Sequence, residues 1–205
     1  MKKLIALVLL LTLLFTLAAC GKETTPDPTD APATDAPEAS TTEEPVNAIP
    51  DALTLLETVW AKYAEDEKFA AAGGDYSEEN AVSDAPGKYG LSDTALLDSV
   101  LGLPESAAAM IDDAASLMHM MNSNSFTCGA FRVANADDVS AVVDALKENI
   151  LNRRWICGFP DKLVIFTVGN YVVSAFGVTD IMTLFGEKLA EAYPDVVVAC
   201  EEAIA

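Results

Sequence analysis

The sequence predicts an α+β domain, a mostly antiparallel or mixed sheet of four to five strands with helices packed on it, behind a signal peptide and a disordered stalk. Three observations carry that expectation. Residues 162–168 and 171–176 are rich in β-branched and aromatic side chains and are separated only by Gly169-Asn170, a two-residue hairpin turn in which Gly and Asn can take positive φ. Apolar residues recur at helical spacing before and after that hairpin. Two short runs bounded by Asn and Ser, residues 116–121 and 126–133, suit two further strands.

The first nineteen residues read as an address. Lys2 and Lys3 form a positive start, residues 4–17 are apolar apart from Thr12 and Thr16, and the stretch closes with Ala18-Ala19-Cys20 and Gly21. Small residues directly before a cysteine form a lipobox, in which the Cys20 thiol is diacylated and the chain is cut before it. The apolar run is shorter than the roughly 17–25 residues that span a bilayer, and two acyl chains make a stable anchor. Cys20 is therefore the expected lipid-attachment site, the membrane the expected partner through that diacylglyceryl-cysteine, and the extracytoplasmic face of the cell membrane the expected location. Residues 21–50 hold six Pro, six Thr and seven acids, which cannot build a core. They read as an acidic stalk, with a reach between about 30 Å as a coil and roughly 90 Å when extended.

Residues 51–205 are expected to form one domain. Over 51–72, Leu53, Leu56, Trp60 and Tyr63 make one apolar helical face, ended by Gly73-Gly74. Residues 75–91 show no periodicity and are expected to be a long loop. Ser92 or Asp93 can cap a short helix bearing Leu96, Leu97, Val100 and Leu101, stopped by Gly102 and Pro104, and a second short helix is expected over 105–111. After the two strands, Asp137 and Asp138 open a helix with an inner stripe of Val139, Val142, Val143, Leu146, Ile150 and Leu151. Residues 163–166 are apolar without alternation, as in a strand covered on both faces, with the two early helices as the available second cover. A last helix is expected over 179–192 and a final strand over 196–199.

Composition limits the function classes. The chain has 205 residues with 32 Asp and Glu against 12 Lys and Arg, a net charge of −20, and 51% hydrophobic residues. A nucleic-acid binder is excluded, because replacing condensed counterions requires basic side chains. With Cys20 assigned to lipid, Cys128, Cys157 and Cys200 allow at most one bridge, and Cys128 reads as a small buried hydrophobe.

Three patterns invite chemistry and each has a plainer reading. Trp155, Cys157, Gly158 and Pro160 suggest a redox loop, but no resolving cysteine follows two residues on, and the only histidine, His119, is far away in sequence. Trp155 and Phe159 are expected to cap the core instead. Met118, His119, Met120 and Met121 carry soft ligands for Cu(I), yet strand alternation sends them to opposite faces, so they read as core methionines. Asp75, Ser77 and Glu79 occupy calcium-loop positions, but Asn80 and Pro86 stand where a Gly and a bidentate Glu belong. No catalytic residue, cofactor or metal is assigned.

The lipobox, the Pro-Thr stalk, and the runs Ser116-Leu117-Met118-His119-Met120-Met121, Phe126-Thr127-Cys128-Gly129-Ala130-Phe131 and Lys162 to Val173 around Gly169-Asn170 together resemble the lipoproteins of Gram-positive gut anaerobes grouped as domain of unknown function 4358. The resemblance spans about residues 112–193. It implies the fold and the location and brings no activity with it. The expected function is a non-enzymatic binding or accessory module for an unknown surface protein or ligand. The alternatives are an extracytoplasmic thiol-dependent enzyme or redox accessory using Cys157, and a Ca²⁺-dependent interaction domain.

Overall fold

Strand alternation and helical stripes assemble one antiparallel sheet between two helical layers. The computed structural model describes residues 49–204 apart from Cys157; the signal peptide, Cys20 and the stalk through residue 48 lie outside the described residues. Helix α1 (Ala52–Trp60) begins where the Asp51 carboxylate accepts the Thr54 N–H at 2.7 Å, and it buries Leu55, Leu56, Val59 and Trp60. It ends well before residue 72. Past Tyr63, Glu67 folds back to accept the Ala64 N–H at 2.8 Å and Phe69 packs edge-on against Trp60 at 5.2 Å, so the small residues that follow become β1 (Ala71–Gly73). Only glycine permits this strand's close approach: a Cβ on Gly73 would lie 2.2 Å from the Gly87 nitrogen.

The expected loop over 75–91 contains two strands of two residues each, β2 (Val82–Ser83) and β3 (Gly87–Lys88). Their brevity is why periodicity gave no sign of them. Helix α2 (Thr94–Leu96) is capped by Asp93, widens into a π-turn over Leu97–Leu101, and stops at Gly102, whose φ is 80°. Helix α3 (Glu105–Ala108) is shorter than expected because Ile111 already opens β4 (Ile111–His119). Charged Asp112 and Asp113 at a bulge disguise that strand's first half. Then come β5 (Phe126–Val133), a 3₁₀ turn over Ala136–Asp138, α4 (Val139–Leu151), β6 (Lys162–Val168), β7 (Tyr171–Gly177), α5 (Thr179–Ala192) and β8 (Val197–Ala203).

The strand order is β2-β1-β4-β5-β7-β6-β8, with β3 also paired to β4, so the sheet has eight strands where four to five were expected. Every pairing is antiparallel. Alternate residues feed two cores. On one face Cys128, Val164, Phe166, Val173 and Ala175 pack under α1 and α5. On the other, Phe131, Leu163, Ile165, Val172 and Phe176 pack under the π-turn, α3 and α4. Strand β6 is covered on both faces as expected, but the early helices divide between the two layers. The hairpin also forms as expected, with one correction: Gly169 alone has positive φ, 59°, and Asn170 does not. Asn170 instead donates its side-chain N–H to the Val133 carbonyl at 3.1 Å.

Candidate functional site

The sheet has two dissimilar ends, and the chain joins it at one of them. There Tyr171 Oη donates to the Ile49 carbonyl at 2.9 Å, Arg132 Nη1 donates to the Pro50 carbonyl at 3.0 Å, and Asp113 accepts the Ala52 N–H at 2.7 Å. Three neighbouring strands thus clamp the first turn of the domain, and Arg132 is itself held by Asp112 at 2.6 Å. Asp113 is 9% exposed, so its pairing with a helix N-terminal N–H removes the cost of a lone buried carboxylate. The hairpin tip at Gly169-Asn170 lies at this same end, since Asn170 reaches Val133. Nine residues of β4 then carry the sheet about 30 Å to the other end.

That far end includes the loops over residues 120–125, 152–156 and 158–160. Asn124 ties them together, its side-chain amide donating to the carbonyls of Ile156 at 3.3 Å and Gly158 at 3.1 Å. The Val178 N–H donates to the Ser125 carbonyl at 2.9 Å, and Asp161 accepts both the N–H and the hydroxyl of Thr179, which anchors the start of α5 to the same rim. On this supported frame Met121, Ile156 and Phe159 are 79%, 72% and 66% exposed, and Met120 is 46% exposed. Four large apolar side chains are thus exposed at one end of the domain.

Two expectations are corrected here. Met118 is buried, but β4 ends at His119, so Met120 and Met121 project from a loop and are not core methionines. Trp155 does cap the core, with its ring 5.1 Å from Phe176, whereas Phe159 faces solvent. Arg153 lies beyond the last turn of α4. Its guanidinium covers the Trp155 and Phe176 rings at 5.4 and 5.7 Å, donates to the Asp98 carbonyl, and is pushed below its ordinary pKa by burial. It thereby joins the end of α4 to the π-turn.

The chemistry-bearing residues singled out from the sequence are dispersed. Cys157 lies outside the described residues. His119 stacks on Phe69 at 5.6 Å, its Nδ1 accepts the Met121 N–H at 3.3 Å, and it belongs to the α1 side of the sheet, while Trp155 belongs to the α4 side. Cys128 is fully buried with its thiol pKa pushed well up by desolvation, and Cys200 is raised for the same leading reason; both are free thiols. Burial alone would raise the Asp75 carboxyl, but it accepts from the Ser77 N–H and hydroxyl, the Asn80 amide at 2.8 Å and the Gly90 N–H at 2.9 Å, and these push its pKa down to about 2. Protein donors occupy both oxygens where a calcium ion would need them. Among the described residues no group of three or more His, Cys, Asp or Glu is placed to hold a metal ion, and no helix is long and apolar enough to cross a membrane.

Residues that sequence reasoning missed are Asn124, read only as a strand boundary, and the second half of β8. The final strand was expected over 196–199 and extends through Ala203, because Glu201 and Glu202 conceal it. Both acids lean on basic neighbours, Glu201 on Lys162 at 2.9 Å and Glu202 on Lys147 at 2.7 Å. No family model, no curated protein and no solved structure matches the chain.

Proposed function

We propose that the chain is a membrane-anchored extracytoplasmic lipoprotein, acylated at Cys20, whose domain is a non-enzymatic binding or accessory module that meets a surface protein or ligand with its far end. One observation carries the reading: the junction at Ile49–Ala52 is clamped at one end of the sheet, and Met120, Met121, Ile156 and Phe159, four of the eight exposed large apolar side chains among the described residues, lie at the other. A tether at the clamped end attaches the domain opposite Met121, Ile156 and Phe159. The acidic stalk supports the same arrangement, since its charge is repelled by anionic head groups. The likeness to the lipoprotein family named above belongs to this reading.

Two experiments test it. Mass spectrometry of the mature protein should find Cys20 as the N-terminal residue bearing a diacylglyceryl group, and an unmodified Cys20 refutes the anchor. The paired substitutions Met121→Glu and Phe159→Glu, both at exposed positions, should leave the melting temperature unchanged and reproduce the phenotype of a deletion. Rapid alkylation of Cys157, with loss of function in a normally folded Cys157→Ala variant, favours the thiol-dependent enzyme instead.

A further inference from the structure

We propose that the free edge of β8 takes an extended, cationic segment of a partner protein as an added strand, continuous with the apolar far end. This rests on the binding-module reading above and adds the partner's chemistry. The two edges of the sheet are treated differently. The β2 edge is two residues long and is followed by Asp84 at a φ of 56° and by Pro86, devices that blunt an edge. Strand β8 is seven residues long, contains neither Lys nor Pro, pairs only with β6, and is exposed along its length except at Cys200. An uncovered edge of that length is a template for another strand.

Its backbone is set for the purpose. The Ile204 N–H donates to the Asp161 carbonyl at 3.0 Å, and in an antiparallel ladder alternate residues face the same way, so Glu202 also faces β6 while Glu201 and Ala203 turn their N–H and C=O outward. The side chains specify the occupant. Val197 and Val198 are 58% and 54% exposed at one end of β8. At the other, the Glu201 and Glu202 side chains remain 57% and 46% exposed while paired with Lys162 and Lys147. A complementary strand is apolar opposite the valines and basic opposite the glutamates. Phe159, two residues before Asp161, is close to that second end, because Asp161 accepts the Ile204 N–H there. A second copy of the chain is disfavoured: each carries a net charge of −20, and a seven-residue edge buries far less than the roughly 800 Å² per partner of a stable dimer.

The test uses the full chain in detergent micelles and a fluorescent ten-residue peptide, Val and Thr alternating in one half, Lys and Thr in the other. Saturable binding is expected. It should weaken at least tenfold for the counterpart with Glu for Lys, and at least tenfold when the same Lys peptide is N-methylated on alternate backbone nitrogens. In the protein, Val198→Lys should weaken it at least fivefold with the melting temperature unchanged. Equal binding of the N-methylated peptide means charge attraction without strand addition and overturns the proposal. So does equal binding of the Glu peptide, an absence of saturable binding, or self-association of the chain that Val198→Lys abolishes. If the peptide fails while Met121→Glu with Phe159→Glu still removes function in cells, strand addition alone falls. If the peptide binds as expected and those two substitutions are silent, the far-end reading falls instead.

Discussion

Replacing Asp75 with Asn tests how the segment between β1 and α2 is held. One carboxylate oxygen accepts the Ser77 N–H and hydroxyl, and the other accepts Asn80 Nδ2 at 2.8 Å and Gly90 N at 2.9 Å. An asparagine keeps the first pair and turns a donor toward the second. Asn80 can rotate its amide to recover, but the Gly90 N–H cannot, and a hydrogen bond to a charged group contributes about 1.5–3 kcal/mol. The depression of the Asp75 pKa from 3.8 to about 2 gives a similar ceiling at about 1.4 kcal/mol per unit, reduced by solvent because the side chain is only half-buried. A loss of about 2 kcal/mol is expected, measured by urea unfolding at pH 7. The sign with pH follows from the depressed carboxyl: its stabilisation is complete above about pH 4 and is lost as pH falls through about 2. The wild type and Asp75→Asn should therefore differ constantly from pH 5 to 7 and converge towards pH 2. A difference below 0.5 kcal/mol, or one independent of pH, refutes the reasoning, and a rise in melting temperature on adding Ca²⁺ to the wild type shows that the carboxylate is available to metal after all.

Gly169→Ala should cost about 1–2 kcal/mol through backbone strain alone, since φ is 59° and an added Cβ would meet nothing within 4 Å, whereas Asn170→Ala should cost about 1 kcal/mol through the lost bond to Val133; equal effects of strain at both positions contradict the turn geometry. Tyr171→Phe should lower stability by about 1 kcal/mol and speed proteolysis near Ile49, and unchanged cleavage there argues against the clamp. Cys128 should resist iodoacetamide in the folded domain until unfolding, as its full burial and raised pKa require; modification at the rate of a free thiol contradicts its placement.

Long, strongly patterned elements were legible in the sequence. The hairpin, α4, α5 and β5 match their expected spans closely because alternation or a helical stripe runs through each. Elements made by tertiary contact were not. Ala71–Gly73 reads as a helix end on local propensity and becomes a strand because Gly73 and Gly87 let two backbones meet. The far end is a similar case. Phe159 is apolar and follows a partly buried tryptophan, so composition favours the core, whereas the Asn124 bridge and the turn at Gly158, with φ 131°, direct it outward. Asn170 shows the limit of residue preference, since its place rests on a hydrogen bond to Val133 rather than on positive φ.

Site-specific photocrosslinking on living cells tests the central claim most directly. A photoreactive residue at position 121 or 159, at the far end, should yield the same discrete adduct in each case, while position 170 beside the clamped junction and position 187 on α5 should yield none. Adducts from 170 or 187 with none from 121 and 159 would contradict an account in which the domain is held by one end and binds with the other.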